Sequence, residues 1–233
     1  MKIKVLVPVA ADTWNKDVER LSRAAADNGT EIFVENVTRG PVSIESMYDE
    51  AWAAMPILEG VAQAAREGYD AVIVYCFGNP AIEAAKEMAA IPVIGIGEAG
   101  QVVAMPLGDR LGIISTVDGA VPRHWRKAQT IGTASKVVSI RPLNIPVVEY
   151  TDKEKVRQRA FGLVRKMIEE DGVDVIVLGC GSLTSLGPEI QAEFNLPVII
   201  PAAAAVKLAE LYVRLGIAQS KRAYAPPPEK ERI

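Results

Sequence analysis

The two cysteines of the chain, Cys76 and Cys180, are the residues whose surroundings most clearly indicate chemistry. Each ends the same pattern, in which an acidic residue, a glycine, a variable residue and an aspartate precede an apolar run. The aspartates are Asp70 and Asp174, and each cysteine follows its aspartate at the same spacing. This repeat predicts two similar lobes, each of which supplies one thiol.

A pair of thiols on opposite sides of a cleft could invert a carbon centre. One thiolate removes a proton from one face, the opposite thiol delivers a proton to the other face, and the roles exchange in the reverse direction. Since each cysteine precedes an expected helix start, we expect a lowered thiol pKa. The alternatives are a buried cysteine without chemistry and a disulfide. The duplicated context favours catalysis.

The elements that must position the thiols alternate between apolar strands and helices. Strands are expected at residues 2–8, 30–37, 71–75 and 91–95, and again at 111–115, 136–140, 173–178 and 196–200. Helices are expected at residues 12–27, 44–66, 79–90, 119–130, 152–170, 188–194 and 201–215, with Pro56 kinking or dividing the second.

Strands that are apolar throughout and alternate with helices predict an α/β fold. We expect two similar doubly wound lobes with parallel four-stranded sheets flanked by helices, related by pseudo-two-fold symmetry, with the active site in the cleft between them. The expected boundaries are residues 1–104 plus 203–233 for the first lobe and 105–202 for the second. Residues 220–233 have no core pattern, and we expect an exposed arm or a disordered segment there.

Composition argues against several functional classes. The net charge is −3, without a block of like charge, which gives no electrostatic reason to expect nucleic acid or a membrane surface as a partner. No targeting signal or spanning segment is recognisable, so we expect a cytoplasmic protein. Two cysteines and one histidine, His124, do not form a zinc-binding pattern. His124, flanked by Arg123 and Arg126, is expected on a solvated helix face.

Several segments resemble the hydantoin racemases of the aspartate/glutamate racemase superfamily. They are residues 40–46, 49–51, 76–80, 92–99, 177–181 and 203–207. The resemblance implies two catalytic cysteines facing across a cleft, a small-molecule substrate, no cofactor and, commonly, a homo-oligomer. One motif differs from the family pattern. Where the family usually carries Asn-Pro-Asn-Thr, this chain has Val7-Pro8-Val9-Ala10. The lost amides and hydroxyl leave the identity of the substrate open.

Further side chains near the expected strand ends are candidates for substrate contact. They are Pro41, Ile44, Phe77, Gly78, Asn79, Ser115, Thr116, Gly181 and Ser182. Helix capping is an alternative role for Asn79, Ser115, Thr116 and Ser182, and turn geometry is the alternative for the glycines.

The leading hypothesis is a cofactor-independent racemase in which Cys76 and Cys180 transfer a proton at a carbon next to a carbonyl. A 5-substituted hydantoin or a related amino-acid derivative is the expected substrate, and backbone N–H groups would stabilise the enolate. The alternatives are another superfamily activity that uses a cysteine (amino-acid racemase, maleate isomerase or decarboxylase) and a two-lobed binding protein without catalysis.

Overall fold

The computed structural model describes residues 1–231 and contains two parallel four-stranded sheets. The strands are β1 Lys2–Val7, β2 Glu31–Asn36, β3 Ala71–Val74, β4 Val93–Gly95, β5 Leu111–Ser115, β6 Val137–Pro142, β7 Val175–Leu178 and β8 Val198–Ile199. Their order is β2-β1-β3-β4 in one sheet and β6-β5-β7-β8 in the other, so the second half repeats the topology of the first. The expected α/β fold with two parallel sheets is confirmed.

Helices flank both sheets. They are α1 Asn15–Ala25, α2 Met47–Arg66, α3 Ile82–Met88, α4 Ile96–Ala104, α5 Val121–Ile131, α6 Lys153–Asp171, α7 Gly187–Phe194 and α8 Pro201–Leu215. A capping box starts α2, in which the Asp49 N–H donates to Ser46 Oγ at 3.1 Å and the Ser46 N–H donates to Asp49 Oδ2 at 2.9 Å. Pro56 lies inside α2 without dividing it.

The aspartates of the repeated pattern have matching structural roles. Asp70 Oδ2 accepts from the Lys2 N–H at 2.7 Å, and Asp174 Oδ1 accepts from the Arg110 N–H at 2.9 Å. Each bond joins the residue before a strand that leads to a cysteine with the beginning of the neighbouring strand, which is β1 for β3 and β5 for β7. The repeat therefore sets the register of the strands whose ends form the site.

The last helix, α8, packs on α1 and α4 in the first half of the chain. Gly100 of α4 permits this approach, because a Cβ there would lie only 2.9 Å from Pro201 Cβ. The lobe boundaries at residues 104 and 202 remain predictions. Within residues 1–231, the helices are all too short or too polar to cross a lipid bilayer.

The segment that follows α8 is hydrogen-bonded at its beginning to β4 and to the end of α3. The Gln219 side chain pairs with both the N–H and the carbonyl of Val93 at 3.0 Å. Lys221 Nζ donates to three carbonyls at the end of α3, those of Lys86, Glu87 and Ala89, at 2.6–3.1 Å. The expectation of an exposed arm is wrong for this anchored part and fits residues 225–231; residues 232–233 lie outside the described residues.

Candidate active site

One cleft opens at the carboxyl ends of the central strands of both sheets, and both cysteines line it. This is the edge at which ligands bind in doubly wound sheets. The cavity measures about 150 Å³, a volume that holds a single small ring. The sequence-predicted residues in its lining are Ile44, Cys76, Phe77, Gly78, Thr116, Cys180, Gly181 and Ser182.

Three predicted residues are not part of that lining. Asn79 is buried, and its Oδ1 accepts from the Gly97 and Glu98 N–H groups at 2.9 and 3.3 Å, so it caps α4 instead of starting its own helix. Ser115 Oγ lies 3.1 Å from the Nδ1 atom of His124. Pro41 contributes its carbonyl to the Ala10 N–H at 3.1 Å.

The two thiols are free and half-buried, and each accepts hydrogen bonds from the loop that follows it. Cys76 accepts from the Gly78 N–H, and Cys180 accepts from the N–H and the hydroxyl of Ser182. Burial nevertheless raises the pKa of Cys76 to about 12 and also raises that of Cys180.

The expected lowering of the thiol pKa is therefore wrong. The helix after Cys76 begins only at Ile82, and a short 3₁₀ turn, Gly181–Leu186, follows Cys180. Neither thiol gains enough from a helix terminus to offset desolvation.

Arg123 and His124 belong to the cleft, so their expected place on a solvated helix face is wrong. They are 4% and 2% exposed, because this face of α5 packs inward. The His124 ring meets the edge of Phe77 with centroids 5.0 Å apart. Burial lowers the pKa of His124 to about 3, so the ring is neutral at physiological pH. Val121, His124 and Ala128 are spaced to lie on one face of a helix, and this pattern could have indicated that His124 faces inward.

The wall from the second half of the chain carries polar groups without partners. Within residues 1–231, Thr116 Oγ1, Arg123 Nε and Tyr150 Oη are buried and make no hydrogen bond. All three residues line the cleft. Because an unsatisfied buried polar group costs about 1–3 kcal/mol, a ligand that pairs with them would gain affinity. Tyr150 lies in no motif, and sequence reasoning did not find it.

The wall from the first half is mainly apolar. Val7, Val9, Trp14, Val18 and Leu21 line it, together with Asp17, Arg20 and Ser43. Val7 and Val9 stand where the family usually carries the asparagines of its Asn-Pro-Asn-Thr motif. Across the described residues 1–231, no group of three histidine, cysteine or acidic side chains is arranged to hold a metal ion. The cleft thus combines one apolar wall, one polar wall and two thiols.

Residues 3–209 match the family described as Asp/Glu/Hydantoin racemase. A hydantoin racemase from Rhizobium meliloti is 37% identical over 203 residues, which cover 85% of this chain and 83% of the relative. A hydantoin racemase from Paenarthrobacter aurescens is 31% identical over 234 residues, 99% of each protein. The crystal structure of an allantoin racemase from Pseudomonas fluorescens matches with a TM-score of 0.96 at 31% identity, covering 100% of both chains.

Proposed function

This chain belongs to the Asp/Glu/hydantoin racemase family and is a racemase, and on that premise we propose a cofactor-independent exchange of one proton between Cys76 and Cys180. The observation that carries the proposal is that both thiols open onto one cleft, at equivalent strand ends of two matching sheets. A substrate carbon held between them would present opposite faces to the two sulfurs.

The reaction conserves charge at each step. The thiolate of one cysteine takes the proton from the carbon next to the substrate carbonyl, and the released electron pair moves onto that oxygen as an enolate. The opposite thiol then protonates the other face of the carbon, which leaves the first cysteine as thiol and the second as thiolate. Hydrogen bonds from Thr116, Tyr150 and the backbone beside the cysteines hold the ring and stabilise the enolate oxygen.

A neutral five-membered ring with an apolar substituent is the substrate class that the walls favour. Arg123 is already paired with Glu50, whose Oε1 lies 3.0 Å from Arg123 Nη1, so this guanidinium is engaged and is a poor partner for a substrate carboxylate. The valines at positions 7 and 9 suit an alkyl or aryl substituent better than a polar ureido group, because an unpaired polar group there would lose its hydrogen bonds to water. We therefore assign 5-alkyl or 5-aryl hydantoins as substrates.

A panel of enantiopure compounds tests this assignment. 5-Isobutylhydantoin, 5-benzylhydantoin, allantoin, leucine and phenylalanine are incubated with the enzyme in D₂O, and optical rotation and deuterium incorporation are followed together. The proposal expects both signals for the two apolar hydantoins, with lower kcat/KM for allantoin and none for the amino acids. Racemisation of the free amino acids alone would identify an amino-acid racemase, and absence of any turnover would favour a binding protein.

A further inference from the structure

A buried ion pair joins the two halves of the chain beside Cys76. Glu50 comes from the first turn of α2 and Arg123 from the start of α5, and Arg123 Nη1 lies 3.0 Å from Glu50 Oε1. The same Nη1 donates to the Ser46 carbonyl at 3.3 Å. The side chains are 14% and 5% exposed. The guanidinium is thus fixed from two directions.

Gly78 brings this pair close to the sulfur. A Cβ at Gly78 would lie 2.2 Å from Glu50 Oε1 and 3.7 Å from Cys76 Sγ. The carboxylate oxygen and the sulfur are therefore separated by no more than the sum of these two short distances. Charges this near a thiol change the balance between thiol and thiolate.

Stability alone does not explain the pair. Taking two charges out of water costs several kcal/mol per ion, which the mutual attraction repays only when hydrogen bonding is complete. Here, within residues 1–231, Arg123 Nε has no hydrogen-bond partner, and Glu50 Oε1 contacts the Arg123 guanidinium at 3.0 Å without a further hydrogen bond. The pair has a large desolvation cost, lacks a complete set of hydrogen bonds and lies near the Cys76 sulfur. These three properties together indicate a role in the reaction.

We propose that Arg123 is a positioning residue that stabilises the Cys76 thiolate, and that Glu50 holds Arg123 in place while limiting its effect. The inference rests on the proposed function, in which that thiolate removes the proton. It makes the two cysteines unequal, because the carboxylate partner lies beside Cys76 and not beside Cys180.

The charged groups around each thiol agree with this asymmetry. Apart from burial, the largest influence on the pKa of Cys76 is the charge of Arg123, which lowers it. Glu50 and the Cys180 thiol raise this pKa. At Cys180 the smallest influence is that of Arg123, and Glu45 raises the pKa. Glu50 in turn faces Lys127 and Glu83 besides Arg123. His124 stays neutral and adds no charge.

Thiol labelling tests the inference without relying on turnover. Iodoacetamide is applied at pH 8.0 to the wild type, Glu50→Gln and the double variant Glu50→Gln/Arg123→Met, and mass spectrometry reports each cysteine separately. The double variant leaves no buried carboxylate unpaired. Arg126→Met is the matched control, because Arg126 is exposed on the same helix.

Opposite changes are expected from the two substitutions. In the Glu50→Gln variant, Cys76 should be labelled three- to tenfold faster than in the wild type. Loss of the negative charge lowers the pKa of Cys76, and each pKa unit increases the thiolate fraction about tenfold. The gain in rate is smaller than the gain in thiolate, because a thiolate of lower pKa is a weaker nucleophile. Adding Arg123→Met should slow Cys76 again by a similar factor. Cys180 should change less in every variant, and Arg126→Met should match the wild type.

Equal labelling rates at Cys76 in wild type and Glu50→Gln would overturn the inference, and so would parallel changes at both cysteines, which indicate altered access. If the double variant does not fold, the Glu50→Gln result decides alone, because it preserves side-chain shape. Failure of this inference can be distinguished from failure of the proposed function. If the proposed function is wrong, the wild type racemises none of the substrates, whatever the labelling rates are.

Discussion

The Tyr75 hydroxyl lies 3.4 Å from the Gly181 carbonyl, so the residue before one cysteine contacts the residue after the other. The approach depends on the glycine, because a Cβ at position 181 would lie 2.3 Å from Tyr75 Cε1. The aromatic ring thus fills the space that any other residue would need. This contact sets the distance between the two cysteine loops.

The first prediction concerns that glycine. Gly181→Ala should force the Tyr75 ring to move, lowering kcat/KM at least tenfold and the free energy of unfolding by about 1–3 kcal/mol. Steady-state kinetics and thermal unfolding measure both. Gly162→Ala is the control, since no atom lies within 4 Å of the added carbon on the exposed face of α6, and it should stabilise by up to about 1 kcal/mol. Wild-type kinetics for Gly181→Ala would contradict the assigned role.

The second prediction uses the unpartnered hydroxyl of Tyr150. Because Tyr150 Oη has no partner among the described residues, Tyr150→Phe should not lower the melting temperature. It should lower kcat/KM for the hydantoin by about tenfold, as one hydrogen bond to the ring is lost. Tyr224→Phe, outside the cleft lining, is the matched control. A variant with reduced stability and unchanged kinetics would show that the hydroxyl serves folding.

The third prediction concerns the apolar wall. Val9→Asn places an amide where the family usually carries one, and it should shift the ratio of kcat/KM between allantoin and 5-benzylhydantoin toward allantoin by at least tenfold. The buried amide should cost about 1–3 kcal/mol of stability in the free enzyme. Val9→Thr, of similar volume, controls for size. An unchanged ratio would mean that the substituent binds elsewhere.

The fourth prediction concerns the anchored C-terminal segment. Lys221→Met removes three hydrogen bonds to the end of α3 and should lower the free energy of unfolding by about 2 kcal/mol, with kcat unchanged at low temperature. Urea unfolding measures the loss. Equal stability of Lys221→Met and wild type would show that the anchor contributes nothing.

The repeated cysteine pattern was enough to predict the sheets and the placement of both thiols at equivalent strand ends, because apolar strands and their spacing are local signals. Helix α4 was missed for a physical reason. Gly97 and Gly100 resemble helix breakers in isolation, but Gly100 lets α8 approach, and the tertiary contact outweighs the low helix propensity.

The polar half of the cleft was harder to predict. In the sequence alone, Arg123 and His124 have the character of solvent-exposed residues. The partner of Arg123 is Glu50, which is distant in sequence, and the partner of His124 is Ser115, which lies within a strand. Asn79 was expected to contact the substrate or, alternatively, to cap the helix that follows it, and it caps α4 instead. Pairings of this kind depend on three-dimensional proximity, which no local pattern encodes.

The central claim is that Cys76 and Cys180 act on opposite faces of one carbon, and isotope exchange in the serine variants tests it most directly. Cys76→Ser and Cys180→Ser are each incubated with both enantiomers of 5-benzylhydantoin in D₂O, and deuterium at the ring carbon and optical rotation are measured together. Each variant should lose racemisation by about 10³-fold while still exchanging the proton of one enantiomer, a different one for each variant. Wild-type racemisation in either variant, or exchange of the same enantiomer by both, would contradict the account.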